Sequence, residues 1–265
     1  MSRSILSVIN QKGGVGKTTT VINLATALAQ KGSKILVVDL DPQGNATTGL
    51  GKSNNDEEKN IYNLLIGKVS VQEAIQSSNV EGLDLIGSNV NLSGLEVETA
   101  NDEKRAFILK EILRNEKNGF LKEYENIFID CPPSLSLLTI MSLVAADELL
   151  VPLQTEFFAL EGLTQLMKTI DRIKVNLNPI LKIRGILLTM YDKRNKLSSQ
   201  VEKEARDYFK NQVYETVIPR NVRLSEAPSH GVPVLIYDKN CPGSKSYFSF
   251  TSEFINQDRQ IESAA

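Results

Sequence analysis

The sequence predicts a doubly wound α/β fold, a mostly parallel sheet flanked by helices. Three observations predict it. Val- and Ile-rich apolar runs alternate along the chain with segments of helical spacing, which implies βαβ units. The runs Ile35–Val38 and Ile127–Ile129 are apolar without interruption, as strands buried on both faces are. The chain has 265 residues, 41% apolar and 23% charged, enough for one large domain with a substantial core.

The strands expected in order are Ser4–Asn10, Lys34–Asp39, Leu83–Gly87, Asn126–Asp130, Glu148–Pro152, Ile183–Met190 and Val213–Ile218. The helices expected are Thr18–Gln30, Lys104–Arg114, Leu135–Ala145, Leu160–Val175 and Leu197–Lys210. The polar stretch Lys52–Asn60 reads as an exposed loop. No repeat or low-complexity linker divides the chain, so residues 1–256 read as a single domain. The tail 257–265 is expected to fray.

The most informative run is Asn10–Thr20, N-Q-K-G-G-V-G-K-T-T-T, between the first strand and the first helix. Strand, glycine-rich loop and helix is the context a phosphate-binding loop requires. Glycines 13, 14 and 16 let backbone N–H groups turn inward around phosphate oxygens. The helix adds its positive N-terminal end. Lys17 reaches for β- and γ-phosphates in this reading, and the Thr18 hydroxyl ligates Mg²⁺. The run departs from the common G-x-x-x-x-G-K-[ST] pattern, because its first glycine is replaced by Gln11 and an extra lysine, Lys12, precedes the glycines.

In open α/β sheets, ligands collect beyond the carboxyl ends of the strands. Two acidic clusters fall there. Asp39 ends the second strand and Asp41 lies just beyond it; Asp130 ends the strand Asn126–Asp130. Asp130 is the expected Mg²⁺ acid. Hydrolysis of a γ-phosphate needs a group that orients or deprotonates water, and Asp41 is the choice for it. It also needs positive charge in the transition state, for which Lys12 is the candidate. Pro132 and Pro133 stiffen the segment after Asp130.

The net charge of −2 is no nucleic-acid signature. The distribution is uneven, with 13 Lys or Arg against 6 Asp or Glu between Lys168 and Arg223, which reads either as solvated helix faces or as a DNA footprint. No apolar run approaches the ~20 residues of a membrane helix, and no signal-peptide layout is present. Cys131 and Cys241 are too few for a disulfide framework, so the reading is cytoplasmic with reduced thiols. The single histidine, His230, leaves no His-based metal site or serine triad.

With these motifs assembled, the chain resembles the ParA-type partitioning ATPases, P-loop NTPases of the deviant Walker A class that also includes the cell-division regulator MinD. Within that class it is similar to the short chromosomal form, Soj. The residues that carry the likeness are Lys12–Thr19 (K-G-G-V-G-K-T-T), Val38–Asn45 (V-D-L-D-P-Q-G-N), Ile129–Ser134 (I-D-C-P-P-S), Phe158–Gly162 (F-A-L-E-G), Leu188–Arg194 (L-T-M-Y-D-K-R) and Val217–Gly231 (V-I-P-R-N-V-R-L-S-E-A-P-S-H-G).

The resemblance implies an ATP- and Mg²⁺-dependent cycle. ATP would yield a sandwich homodimer in which Lys12 of each copy crosses to the other's phosphates. The dimer would bind double-stranded DNA without sequence preference and associate with the nucleoid. A ParB-type partner would stimulate hydrolysis and return the protein to monomers. Carried over by position, Gly13, Gly14, Val15, Gly16, Lys17, Thr18 and Thr19 would contact phosphate, Asp41 would be catalytic, and Asp130 would serve the metal with Thr18. Pro219 and Asn221 would lie near the adenine, and Arg194 and Arg223 would bind DNA. Val232 stands where many relatives have a basic residue.

The alternative is a membrane-associated spatial regulator like MinD. The final segment carries Tyr247, Phe248, Phe250, Phe254 and Ile255, but after Lys245 its charges are Glu253, Asp258, Arg259 and Glu262. That is no basic amphipathic face, so a helix packed on the core and no membrane contact are expected. With a first strand near Ser4, no N-terminal helix-turn-helix domain is expected. The position of Cys241, in an Asn-Cys-Pro-Gly turn, disfavours a metallo-cluster carrier.

Overall fold

The computed structural model describes residues 4–264. One seven-stranded sheet has the order β3-β4-β2-β5-β1-β6-β7. The strands are β1 (Ser4–Val8), β2 (Ile35–Asp39), β3 (Ile75–Ser77), β4 (Leu83–Ile86), β5 (Asn126–Asp130), β6 (Glu148–Gln154) and β7 (Lys182–Thr189). All pairings are parallel except that of β3 with β4. The doubly wound prediction therefore holds.

Pleating explains the two cores. Ile5 of β1 and Leu36 and Val38 of β2 point to one face of the sheet, and Leu6, Val8, Ile35 and Val37 point to the other. Helices Leu137–Ala145 and Ala159–Asn176 cover the first face through Met141, Leu163, Leu166 and Ile170. The second face is covered by α1 (Lys17–Ala29), through Val21, Leu24 and Leu28, and by the long final helix Pro242–Ala264. Tyr247, Phe250 and Phe254 of that helix are buried, as the reading of a core-packed helix required. The side chains from residue 258 on, where the tail is expected to fray, lie outside the described residues, as does Ala265.

One expected strand is not a strand. Val213–Ile218 runs beside the edge of β7 but makes only isolated bridges, at Ile186–Val213 and Tyr191–Pro219. Between them, the N–H groups of Glu215 and Thr216 donate to Oε1 and Oε2 of Glu253, at 2.7 and 2.9 Å. Tyr214 and Ile218 turn their N–H groups to β7, and the carboxylate on the final helix takes Thr216, whose N–H would have continued the ladder between them, together with Glu215. The short antiparallel β3 was not expected. Its three residues carry a single apolar side chain, too little for a periodicity signal.

The sheet order fixes where a ligand sits. β1 lies between β5 and β6, and the chain turns toward β2 on one side and later fills β6 and β7 on the other. The crevice beyond β1 is thus the switch point of the sheet. The loop leaving β1 is the glycine-rich run.

Candidate active site

The glycine loop is strapped to the strand ends around it. Asn10 Nδ2 donates to the Pro152 carbonyl of β6 at 2.8 Å, and Asn10 Oδ1 accepts from the Lys12 N–H at 3.0 Å. Thr189 Oγ1, at the end of β7, donates to the Val15 carbonyl at 2.8 Å. Gly16 caps α1 with φ 91°, a left-handed conformation that a side chain would strain. These ties hold the loop open toward a cleft of about 470 Å³ lined by Gly13, Gly14, Gly16, Lys17, Thr18, Thr19, Asp41, Gln43, Asn45 and Met190, among others. Val15 is buried and turned away from it.

Lys17 is buried, and its Nζ donates to the Lys12 carbonyl at 3.0 Å. Burial lowers its pKa, with Asp130 foremost among the groups that oppose the shift. Lys12 differs. Its side chain is 52% exposed, and its ammonium is ion-paired with Glu156, just beyond β6.

The carboxylates meet opposite Lys17. Asp39 and Asp130 stand in register on β2 and β5. Asp39 accepts from the Thr47 N–H and hydroxyl at 2.8 and 2.7 Å, and from the Asp41 N–H at 3.2 Å. Burial pushes its pKa up to about 6 against those hydrogen bonds. Burial, and then the neighbouring Asp39 carboxylate, raise the pKa of Asp130 well above the usual carboxylate range. Asp41 is buried at the cleft wall, and its Oδ1 accepts from the Gln43 N–H at 3.0 Å.

Thr18 Oγ1 donates to Asp130 Oδ2 at 2.7 Å. The other oxygen, Oδ1, is buried with no hydrogen-bond donor. Asp130, with Thr18 beside it and one buried oxygen unpartnered, and Asp41 are the carboxylates near Lys17, and a divalent cation would favour their ionised forms, so these residues fit Mg²⁺. Among the described residues no cluster of three or more His, Cys, Asp or Glu could hold a metal alone.

A second, smaller cleft of about 100 Å³ adjoins the first and shares Gly16, Thr19 and Met190 with it. Its walls include Ile218, Pro219, Asn221, Leu224 and Tyr247, an apolar setting with few polar groups that suits a flat aromatic base. Asn221 caps the turn Val222–Glu226, its side chain accepting from the Arg223 N–H at 3.0 Å. Met190, between the clefts, has φ 50°. Such a conformation is uncommon for a residue with a side chain and gathers at functional sites.

Arg194 sits on the loop after β7, and Arg223 in the short helix Val222–Glu226 that follows the neighbouring loop. Tyr191 donates to the Ile218 carbonyl at 3.0 Å and accepts from the Arg220 N–H at 3.1 Å, so the two loops are joined. Both arginines are exposed and already paired. Arg194 makes a two-pronged contact with Asp192, both bonds 3.0 Å. Arg223 pairs with Glu226 at 2.8 Å and lies near Asp238 and Tyr237.

Cys131 is buried among Ser7 and Ser142, and burial pushes its thiol up to about 11, so it is no nucleophile. His230 is exposed and stacks on Tyr237. Sequence reasoning missed Asn10, Glu156, Thr189 and Met190. Asn10 and Glu156 each follow a strand end, which was the available signal; Thr189 and Met190 lie within the run Leu188–Arg194, but nothing local gave either a role.

A phosphate loop leaving an inner strand, β1, with a carboxylate ending the adjacent strand, β5, defines a P-loop nucleoside triphosphatase. The family model described as "AAA domain" matches residues 3–183. The chromosome partitioning protein ParA of Caulobacter vibrioides is 50% identical over 262 residues, 98% of this chain and 97% of that protein. Soj of Bacillus subtilis, a sporulation initiation inhibitor, is 47% identical, covering 94% of this chain and 97% of its own. The solved structure of a Mycobacterium smegmatis cobyrinic acid a,c-diamide synthase, with bound ATP analogue and magnesium, is similar in fold. Its TM-score is 0.83 at 34% identity, over 95% of this chain and 93% of that one. The chain belongs to the ParA/Soj family of chromosome-partitioning ATPases. No helix among the described residues is long and apolar enough to cross a membrane.

Proposed function

We propose that this chain is an ATP-driven DNA-partitioning switch. ATP and Mg²⁺ bind at the glycine loop, two copies then pair, the pair holds DNA without sequence preference, and a ParB-type partner triggers hydrolysis. The observation that carries the reading is the presence of two lysines on one phosphate loop. Lys17 is buried against its own site, and Lys12 has a half-exposed side chain that a second copy can reach.

The backbone N–H groups of residues 13–19 and Lys17 bind the phosphates, and Pro219 and Asn221 take the adenine. Thr18, with Asp130 behind it, would hold Mg²⁺, which would supply charge neutralisation at the phosphate oxygens. Asp41 orients the attacking water and accepts its proton. Lys12, supplied from the other copy, offsets the charge that builds up in the transition state, in the manner of an arginine finger. Arg194 and Arg223 contact DNA phosphates, which makes binding salt-dependent.

The test is binding to random duplex DNA with and without ATP, together with ATP turnover in the presence of DNA, of a ParB-type partner, and of both. ATP-dependent binding, and turnover raised most by both together, are expected. Protein that ignores DNA with ATP but binds anionic vesicles would instead be a membrane-associated regulator like MinD.

A further inference from the structure

Lys12 is held at three points within its own chain. Its N–H donates to Asn10 Oδ1 at 3.0 Å, its carbonyl accepts from Lys17 Nζ at 3.0 Å, and its ammonium is ion-paired with Glu156. Glu156 Oε1 is shut off from solvent. A buried carboxylate oxygen requires a counter-charge, and Lys12 provides it. One ammonium cannot neutralise Glu156 and also reach the phosphates of another copy.

We propose that Glu156 is a latch on Lys12: the ion pair keeps the lysine in its own chain, must open before two copies pair, and so raises the protein concentration at which pairing occurs. This rests on the reading that Lys12 acts on a second copy. Lys17 connects the latch to the nucleotide. The amine that donates to the Lys12 carbonyl is the one that turns to phosphate when nucleotide binds, and its departure removes one of the three ties. Phe157 and Phe158, 75% and 66% exposed, follow Glu156 directly. A second copy seated on this face meets the rings of the segment that carries the latch.

Glu156→Gln keeps the shape and removes the charge, and Glu156→Asp keeps the charge and shortens the reach. Two measurements separate the latch from the pairing that it is meant to control. The first is the rate at which an amine-acylating reagent modifies Lys12 without nucleotide, read by peptide mass mapping. For a partly exposed ion pair, Glu156→Gln is expected to raise it about two- to fivefold, with Glu156→Asp between. An unchanged rate means the ammonium is not held and overturns the latch.

The second is ATP-dependent pairing by sedimentation, in an Asp41→Ala background that does not hydrolyse. Glu156→Gln is expected to lower the midpoint protein concentration about two- to fivefold. The shift should vanish when Lys12→Ala is added, because the two residues then have nothing to share. A midpoint unchanged or raised by Glu156→Gln overturns the latch and leaves the paired-copy reading intact. No pairing with ATP in the Asp41→Ala chain itself overturns that reading, and the latch with it.

Discussion

Thr18 Oγ1 donates to Asp130 Oδ2 at 2.7 Å, joining the first turn of α1 to the end of β5. The two residues are 112 positions apart in sequence, and the bond exists because β1 and β5 are neighbours in register. The hydroxyl has a lone pair left for a cation while it satisfies a buried carboxylate. Thr18→Ala should therefore lower Mg²⁺-dependent turnover by about a hundredfold or more. It should also cost about 1–3 kcal/mol of stability through the unpaired Asp130 oxygen. Thr18→Ser should restore most of both, with turnover against Mg²⁺ concentration and urea unfolding as the measurements.

Asp41 is fixed by its neighbours before any water arrives, through Asp39 on its N–H and Gln43 on its side chain. Asp41→Ala should cut turnover about 10²- to 10⁴-fold, the range for a lost general base, while ATP still binds. The variant should accumulate as an ATP-loaded pair of chains, visible in sedimentation. A variant that remains single with saturating ATP would remove Asp41 from the hydrolytic step.

The Arg194–Asp192 contact makes opposite predictions for its two members. Arg194→Glu should weaken DNA binding and reduce the dependence of log affinity on log salt by about 1. Asp192→Asn should strengthen binding by a few-fold, about what an exposed ion pair contributes, because the guanidinium is released to phosphate. The side-chain hydrogen bond from Arg194 holds the Asp192 carboxyl down at about 2. A lowered carboxyl stays ionised as pH falls until that value, so acidification from pH 8 to pH 5 should not mimic Asp192→Asn. Fluorescence anisotropy on a labelled duplex reads all three.

Glu253 holds the segment that was expected to be a strand. Glu253→Gln keeps the shape but weakens both bonds to the Glu215 and Thr216 N–H groups, and should cost about 1–3 kcal/mol in thermal or urea unfolding. Since the same segment runs into Ile218 and Pro219 of the smaller cleft, ATP affinity should fall as well, while the Mg²⁺ requirement stays unchanged. Calorimetry separates the two effects.

Local pattern was enough for the central strands. Ile35–Val38 and Ile127–Ile129 are apolar on both faces because helices cover both faces, and that shows in a run of four or three residues. The glycine loop was legible because its chemistry is local. Val213–Ile218 misled, since its composition suits a strand and only Glu253, 37 residues later, withdraws its donors. The roles of Glu156 and Thr189 were hidden for the same reason. Each acts on the glycine loop from the far end of another strand, across 144 and 174 residues respectively. The pairing of Arg194 and Arg223 with acids on their own loops was a matter of side-chain direction, which an excess of basic residues does not reveal.

Tyr191 gives its N–H to the wall of the base cleft and its carbonyl to Arg220, one residue beyond Pro219. The loop that carries Arg194 and the segment that carries Arg223 are thereby joined at one residue, Tyr191, through two successive peptide units. A shift of that residue is therefore felt on both sides, by the loop of Arg194 and by the segment of Arg223. On the proposed reading of these two arginines, a DNA backbone would be gripped or released by both together rather than by one at a time.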